Sequence, residues 1–352
     1  MQIEIYSPTI RRKEMDAVLT AMVEDKIGPG EQTKYLVQTA REKIKFDYCL
    51  ALRSPAYALY LSLKALGLTS GDGVIVSALS PLYYAWVIQD LGLKPIFCDV
   101  LPFSTSIGRT TIEKAVSKNG GINIKCVVLH HTLGYLSDSS VLAESGFQVI
   151  DDQSQSYGTG SGEEDGCVSA EFGVFTILGL EERDMLTSGG GALLYSANRR
   201  DSTALRNLGD LPPEYGLPGM NAALAMVQFR EAAKNLEKRR EIARLYTNSA
   251  LKTRHKLFVH KAGSSDSHVE YNNYAFPLIL ETGVKDVKAY ARRKDIAVES
   301  AFEKTLMGSG IVPPEECPEA YSLSLRTVLF PIYPRLSMSD AGKVAKLILT
   351  LP

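Results

Sequence analysis

No two cysteines of this 352-residue chain stand at metal-binding or redox spacing. Cys49, Cys98, Cys126, Cys167 and Cys317 are scattered and form no CxxC pair, which speaks against a disulfide framework or a zinc site. Cys98 and Cys126 lie inside strand-like apolar runs and are expected to be buried free thiols, hence a reducing, cytoplasmic setting. Charge of one sign is lacking too. Lys and Arg number 39 against 40 Asp and Glu, so no global basic field draws the chain to nucleic acid or to anionic lipid. No apolar stretch is long enough for a membrane span, and Met1-Gln2-Ile3-Glu4-Ile5 lacks the basic start and apolar run of a signal peptide. What remains is a globular composition, 45% hydrophobic and 22% charged, long enough for a large domain and a smaller one.

Short apolar runs alternate with amphipathic ones. Helices are expected at 11–25, 32–45, 56–66, 83–91, 110–117 and 139–145, and strands at 48–53, 73–77, 94–99, 124–130, 147–151, 173–178 and 192–195. Strands of this kind separated by helices imply a mainly parallel α/β sheet covered on both faces. A long helix over 221–251 follows. Its charges (Glu231, Lys234, Glu237, Lys238, Arg239, Arg240) read as a solvated face. The rest, with strands at 273–280 and 328–331 and helices at 284–294 and 337–349, reads as a small α+β domain containing a polar loop at 263–267. The division expected is 1–245 and 246–352.

The chemistry-bearing segment is Val149-Ile150-Asp151-Asp152-Gln153-Ser154-Gln155-Ser156-Tyr157-Gly158. Asp152 is expected just past a strand. Alone, Asp152 and Gln155 read more simply as a turn after a strand with a surface glutamine. Other segments change this. Ile27-Gly28-Pro29-Gly30, Leu66 to Val76, Gly92 to Val100, His131-Thr132-Leu133-Gly134 with Asp138, Met220 to Phe229 with Lys238-Arg239-Arg240, and Leu329 to Ser337 follow in order. Together they resemble the DegT-type family of nucleotide-sugar aminotransferases along nearly the whole chain.

That resemblance implies the aspartate-aminotransferase fold (PLP fold type I), a homodimer, and nucleotide-linked keto sugars as substrates. It matches Asp152 to the acid that holds the pyridine nitrogen of pyridoxal phosphate (PLP), and Gln155 to its companion on the ring oxygen. The family's phosphate loop, "SGTxAL", is here Ser54-Pro55-Ala56-Tyr57-Ala58-Leu59. Pro55 brings no N–H and Ala56 no hydroxyl, although proline suits a first helical turn. The ring-stacking aromatic falls near Pro81. Tyr83 or Tyr84 could substitute, with a core or helix-face role the simpler reading for both. The family's Schiff-base lysine is missing: no lysine occurs from Phe172 to Tyr195. Counting forward from Phe175-Thr176 puts Glu181 at its position, and counting back from Gly190-Gly191 puts Arg183 there. Neither forms an imine, and no histidine lies between His131 and His255 to serve as an alternative base.

Two readings stand. In one, the chain is a degenerate member with a binding or regulatory role in surface polysaccharide or amino-sugar biosynthesis, with no cofactor bound as purified and only weak PLP affinity. In the other, it is an enzyme acting on a nucleotide-linked keto sugar with PLP or its amine form, PMP, held noncovalently. Both expect a possible nucleotide-sugar ligand, with cofactor-side residues Asp152, Gln155, Ser54, Ala56 and Tyr83 and no metal.

Overall fold

The computed structural model describes residues 2–137, 142, 145–160, 173–258 and 269–352. Asp138, Cys167, the polar loop 263–267 and most of the helix expected at 139–145 lie outside them.

Seven strands form the main sheet: β1 (Tyr48–Leu52), β2 (Gly73–Ser77), β3 (Lys94–Cys98), β4 (Ile124–His130), β5 (Gln148–Asp152), β6 (Phe175–Gly179) and β7 (Ala192–Ser196). Their order is β1-β7-β6-β5-β4-β2-β3. The run from β3 to β6 is parallel, whereas β7 pairs antiparallel with both β6 and β1. Every residue of β2, β6 and β7 is buried, as a sheet covered on both faces requires. The covering helices are α1 (Arg12–Val23), α2 (Glu31–Arg41), α3 (Pro55–Ala65), α4 (Tyr83–Asp90), α5 (Arg109–Lys118), α6 (Arg199–Arg206) and the long α7 (Gly219–Ala250). The described cysteines are free and buried, so Cys98 and Cys126 are core thiols as expected.

A second sheet, β8-β10-β9, is built from β8 (Phe276–Ile279), β9 (Glu299–Ser300) and β10 (Thr327–Phe330). Helices α8 (Val284–Arg292), α9 (Pro318–Arg326) and α10 (Met338–Leu349) accompany it. The first half of α7 puts Ala225 and Phe229 into a core with Leu36 and Leu178. Its second half puts Ile242 and Tyr246 into the core of the second sheet with Phe276 and Val328. The N-terminal strand segment also returns to that core: Ile3 bridges Ile296 and packs there.

Three differences from the sequence pattern have physical causes. Strand β5 runs on to Asp152 itself, because its neighbours continue the ladder opposite it, at His130 and Ile177. Helix α6 has almost no apolar stripe and is started by the Asn198 side chain accepting from the Asp201 N–H. Helix α9 is capped from a distance: the Asp99 carboxylate accepts the N–H groups of Glu319 and Ala320 at 3.0 and 2.8 Å. One side chain on α7 also departs from the solvated face. Arg239 is buried, and its Nη1 donates to the carbonyls of Asn273, Tyr274 and Ile332.

The Gly/Pro-rich segments at 28–30 and 215–219 pack on each other within the chain. The Gly219 N–H donates to the carbonyls of Ile27 and Gly28, and a β-carbon there would sit 2.7 Å from the Gly28 oxygen. Close approach of two backbones therefore accounts for that glycine.

Candidate functional site

The centre of the candidate site is the end of β5. Doubly wound sheets collect ligands at the carboxyl ends of their strands. Asp152 closes β5 and has no exposed surface. One carboxylate oxygen accepts the Tyr84 hydroxyl in a short hydrogen bond and the Tyr83 hydroxyl at 3.4 Å. The other accepts the Ser154 N–H at 3.0 Å and the Ser154 hydroxyl in a second short bond. Ser154 Oγ in turn accepts the Gly179 N–H at 2.8 Å, tying β5 to the end of β6. Burial, with Asp152 close by, pushes both tyrosine hydroxyls well above the usual phenol range, so they remain donors. The simpler reading of Tyr83 and Tyr84 as core residues is thus incomplete: both point at Asp152. No spacing rule picks out Tyr84 or Ser154 in the sequence, because the sheet brings Tyr84 to the acid across 68 residues.

Gln155 lies on the neighbouring turn. Its Oε1 accepts the Leu133 N–H at 2.7 Å, so the side chain holds the His131–Gly134 segment. Leu133 and Gly134 have φ of 59° and 83° there, and a β-carbon on Gly134 would meet Gln155 and Asn272. His131 is fixed between the Ser137 N–H on Nδ1 and Asp151 on Nε2. His130, stacked edge-on against Tyr84, is held well below the usual imidazole range, at about 4, chiefly by burial.

Ser54 and Ala56 stand at the start of α3. Pro55 is the first helical residue, and Ser54 Oγ accepts the Tyr57 N–H at 3.3 Å. The Ala56 N–H is a first-turn donor with no acceptor inside the helix. Tyr57 is partly exposed and packs its ring on Tyr215, 4.7 Å between centroids.

The loop between β6 and β7 is described throughout and has no amine side chain. Arg183 turns outward, ion-paired with Glu299 of β9 at 2.7 Å and lying over the Tyr6 ring. Glu181 is partly buried, which raises its carboxyl. Its N–H donates to Asp184 Oδ2 at 2.8 Å. Asp184 turns inward. A β-carbon on Gly179 would strike its carboxylate and lie 2.7 Å from Ser154 Oγ, so Gly179 is the seam between the Asp152 cluster and this loop. Asp184 was missed in the sequence because neither count to the lysine position lands on it. A small cavity of about 10 Å³ beside it is lined also by Tyr6, Thr187, Asn235 and Arg239.

The sequence pattern of the DegT/DnrJ/EryC1/StrS aminotransferase family matches residues 8–349. The chain belongs to that family. A dTDP-4-dehydro-2,3,6-trideoxy-D-glucose 4-aminotransferase of Saccharopolyspora spinosa is 23% identical over 97% of this chain and 95% of its own. A pleiotropic regulatory protein of Geobacillus stearothermophilus is 26% identical over 54% of each chain. Among solved structures, a Streptococcus pneumoniae protein assigned as a sugar aminotransferase, Spr1654, superposes with a TM-score of 0.85 in its PLP and PMP forms and 0.86 in its apo form. It is 18% identical and covers all of this chain and 98% of its own. The PLP-dependent aminotransferase fold is therefore this family member's fold.

These findings correct one expectation. A protein with no cofactor as purified, and only weak PLP affinity, does not agree with a family of PLP- and PMP-dependent aminotransferases whose structural neighbours hold both forms; they point to PLP as the cofactor. The donor set agrees for a noncovalent hold. A buried acid at a strand end suits a pyridine nitrogen, and a helix N-terminus suits a phosphate. Among the described residues no helix is long and apolar enough to cross a membrane, and no cluster could hold a metal.

Proposed function

We propose that this protein handles nucleotide-linked keto sugars with PLP or PMP held noncovalently. Asp152 would face the ring nitrogen, Gln155 would keep the His131–Gly134 turn against the ring, Tyr83 would border it, and Ser54 and Ala56 at the start of α3 would take the phosphate. When bound, the cofactor supplies an electron sink for chemistry at a carbon next to an amine or carbonyl. The chain's own part is to keep the pyridine nitrogen protonated through Asp152, fix that acid with Tyr83, Tyr84 and Ser154, and keep water from the strand ends. The observation that carries the reading is the fully buried Asp152 at the end of β5 beside a lysine-free β6–β7 loop. The likeness to a dTDP-sugar aminotransferase supports the substrate class.

A titration of the purified protein with PLP and with PMP, followed by borohydride reduction and peptide mapping, tests this. Saturable binding with no covalent adduct is expected. A pyridoxyl-lysine in any peptide of the cleft would overturn it. A second reading, a sugar-binding or regulatory protein without transamination, is favoured by one observation: both Asp152 oxygens already have partners within the chain. Retained nucleotide-sugar binding in a protein that aminates no keto sugar with either cofactor form would select it.

We also propose a homodimer. Met15, Leu19, Met22 and Val23 line one face of α1 and are 50–84% exposed. Such a stripe suits burial against a second copy. Sedimentation at micromolar concentration should give a dimer; a single species at 38.5 kDa would remove the proposal.

A further inference from the structure

A carboxyl group offers at most about four acceptor sites, two on each oxygen. At Asp152 all of them are taken from within the chain. Tyr83 and Tyr84 donate to one oxygen, and the Ser154 N–H and hydroxyl donate to the other. A ring N–H is a fifth donor. It reaches this acid only if one of the donors already there lets go.

The four bonds are not equally held. The Ser154 N–H belongs to the backbone of the turn after β5 and donates at 3.0 Å. The Ser154 hydroxyl makes a short bond, and its oxygen also accepts the Gly179 N–H, so moving it would leave that buried donor unmet. Tyr84 has no exposed surface, makes the other short bond and stands edge-on against His130. Tyr83 differs in each respect. Its bond, at 3.4 Å, is the longest of the four and lies beyond the roughly 2.5–3.0 Å usual between two oxygens. Its side chain is only partly buried, and it opens α4, with its ring edge-on to Tyr84 at 5.0 Å between centroids. Its hydroxyl is also hydrogen-bonded with the Tyr84 hydroxyl, so leaving the acid does not strand it.

We propose that Tyr83 is a specificity-determining residue of the candidate site: its hydroxyl occupies the acceptor site on Asp152 that a ring N–H requires, and yields it only to a ligand that brings such a donor. This deepens the proposed function and rests on it. Tyr84 and Ser154 stay in place and hold the acid in both states. In the free protein Tyr83 keeps the buried carboxyl satisfied, which an unmet acceptor at that depth would not be. The same bond lowers the affinity of every ligand that must displace it. An aromatic phosphate without a ring nitrogen leaves Tyr83 on Asp152 and gains nothing from the acid, so the exchange favours a pyridine ring over other aromatic phosphates.

The test is calorimetric titration of the full chain with PMP, PLP and benzyl phosphate, an aromatic phosphate with no ring nitrogen. It is run on the wild type, Tyr83→Phe and Tyr84→Phe, with unfolding curves to establish that each variant is folded. Tyr83→Phe keeps the ring and removes only the competing donor. It should bind PMP and PLP more tightly than the wild type by about 2- to 10-fold, the range of one modest hydrogen bond, and should bind benzyl phosphate no better. Tyr84→Phe should bring no such gain; should it fail to fold, the Tyr83→Phe and benzyl phosphate comparisons still decide. Unchanged or weaker PMP binding in Tyr83→Phe, an equal gain for benzyl phosphate, or an equal gain in Tyr84→Phe would overturn the inference while leaving noncovalent cofactor binding in place. Failure of PMP and PLP to bind the wild type and Tyr83→Phe alike would overturn both.

Discussion

The two strand ends that meet at Gly179 have been treated differently. At the end of β5, Asp152 is surrounded by donors from three residues: Tyr83 and Tyr84 on α4, and Ser154 on the following turn. Each accepting oxygen has two donors, so the buried side chain is satisfied without exposure. At the end of β6, the loop has no amine, its guanidinium faces out, and its inward carboxyl has a single backbone donor. Hydrogen bonding holds one acid in a fixed role; burial without matching donors keeps the other poised between two protonation states. Under the proposed function, the β5 end is the retained, ring-nitrogen side and the β6 end the rebuilt, lysine side.

The largest effect expected is at the retained side. Asp152→Ala leaves the Tyr84 and Ser154 donors buried without an acceptor, at about 1–3 kcal/mol each. A loss of about 2–6 kcal/mol in urea unfolding is expected, together with loss of PLP and PMP binding. Asp152→Asn, which keeps one acceptor, should lose binding with a smaller cost in stability. Unchanged cofactor affinity in Asp152→Asn would break the comparison, because the hydrogen-bonded acid would then be a structural group only.

How far this was legible in the sequence differs between the two ends as well. The alternation of short apolar runs with amphipathic ones marked the sheet, and the ordered segments from Ile27 to Ser337 marked the family, because burial on both faces leaves continuous apolar strands. Asp152 was legible through its local segment, although the strand extends one residue further to include it. The partners of Asp152 were not, since Tyr84 reaches it only through sheet order, Ser154 only through the way the following turn folds back, and an aromatic beside a buried acid looks like any core aromatic in one dimension. Helices α6 and α9 were missed because their start signals are a side-chain cap on a polar run and a carboxylate from Asp99 far back in the chain. Arg239 looked like one charge among many on α7, and only the three carbonyls that converge on it reveal a buried cation. Asp184 stayed hidden because a motif count locates the lost lysine's place in the chain and not the side chain of the loop that turns inward.

A smaller effect, on the rebuilt side, sharpens the comparison through pH. The folded state holds the Asp184 carboxyl near 8, whereas an unfolded aspartate titrates near ~3.9. Between those values the folded chain binds a proton that the unfolded chain has released, so stability falls as pH rises across that window. The contribution is fully present below the unfolded value and is lost once pH passes the folded one. Asp184→Asn cannot release a proton and can still accept the Glu181 N–H through its amide oxygen. Its melting temperature should therefore match the wild type near the acid end of the window and exceed it by a few degrees at the alkaline end. Thermal unfolding of Asp184→Asn and the wild type, measured across the window without cofactor, checks this. Parallel curves for the two would mean that Asp184 carries no proton at neutral pH, and that burial at the β6 end does not set its protonation.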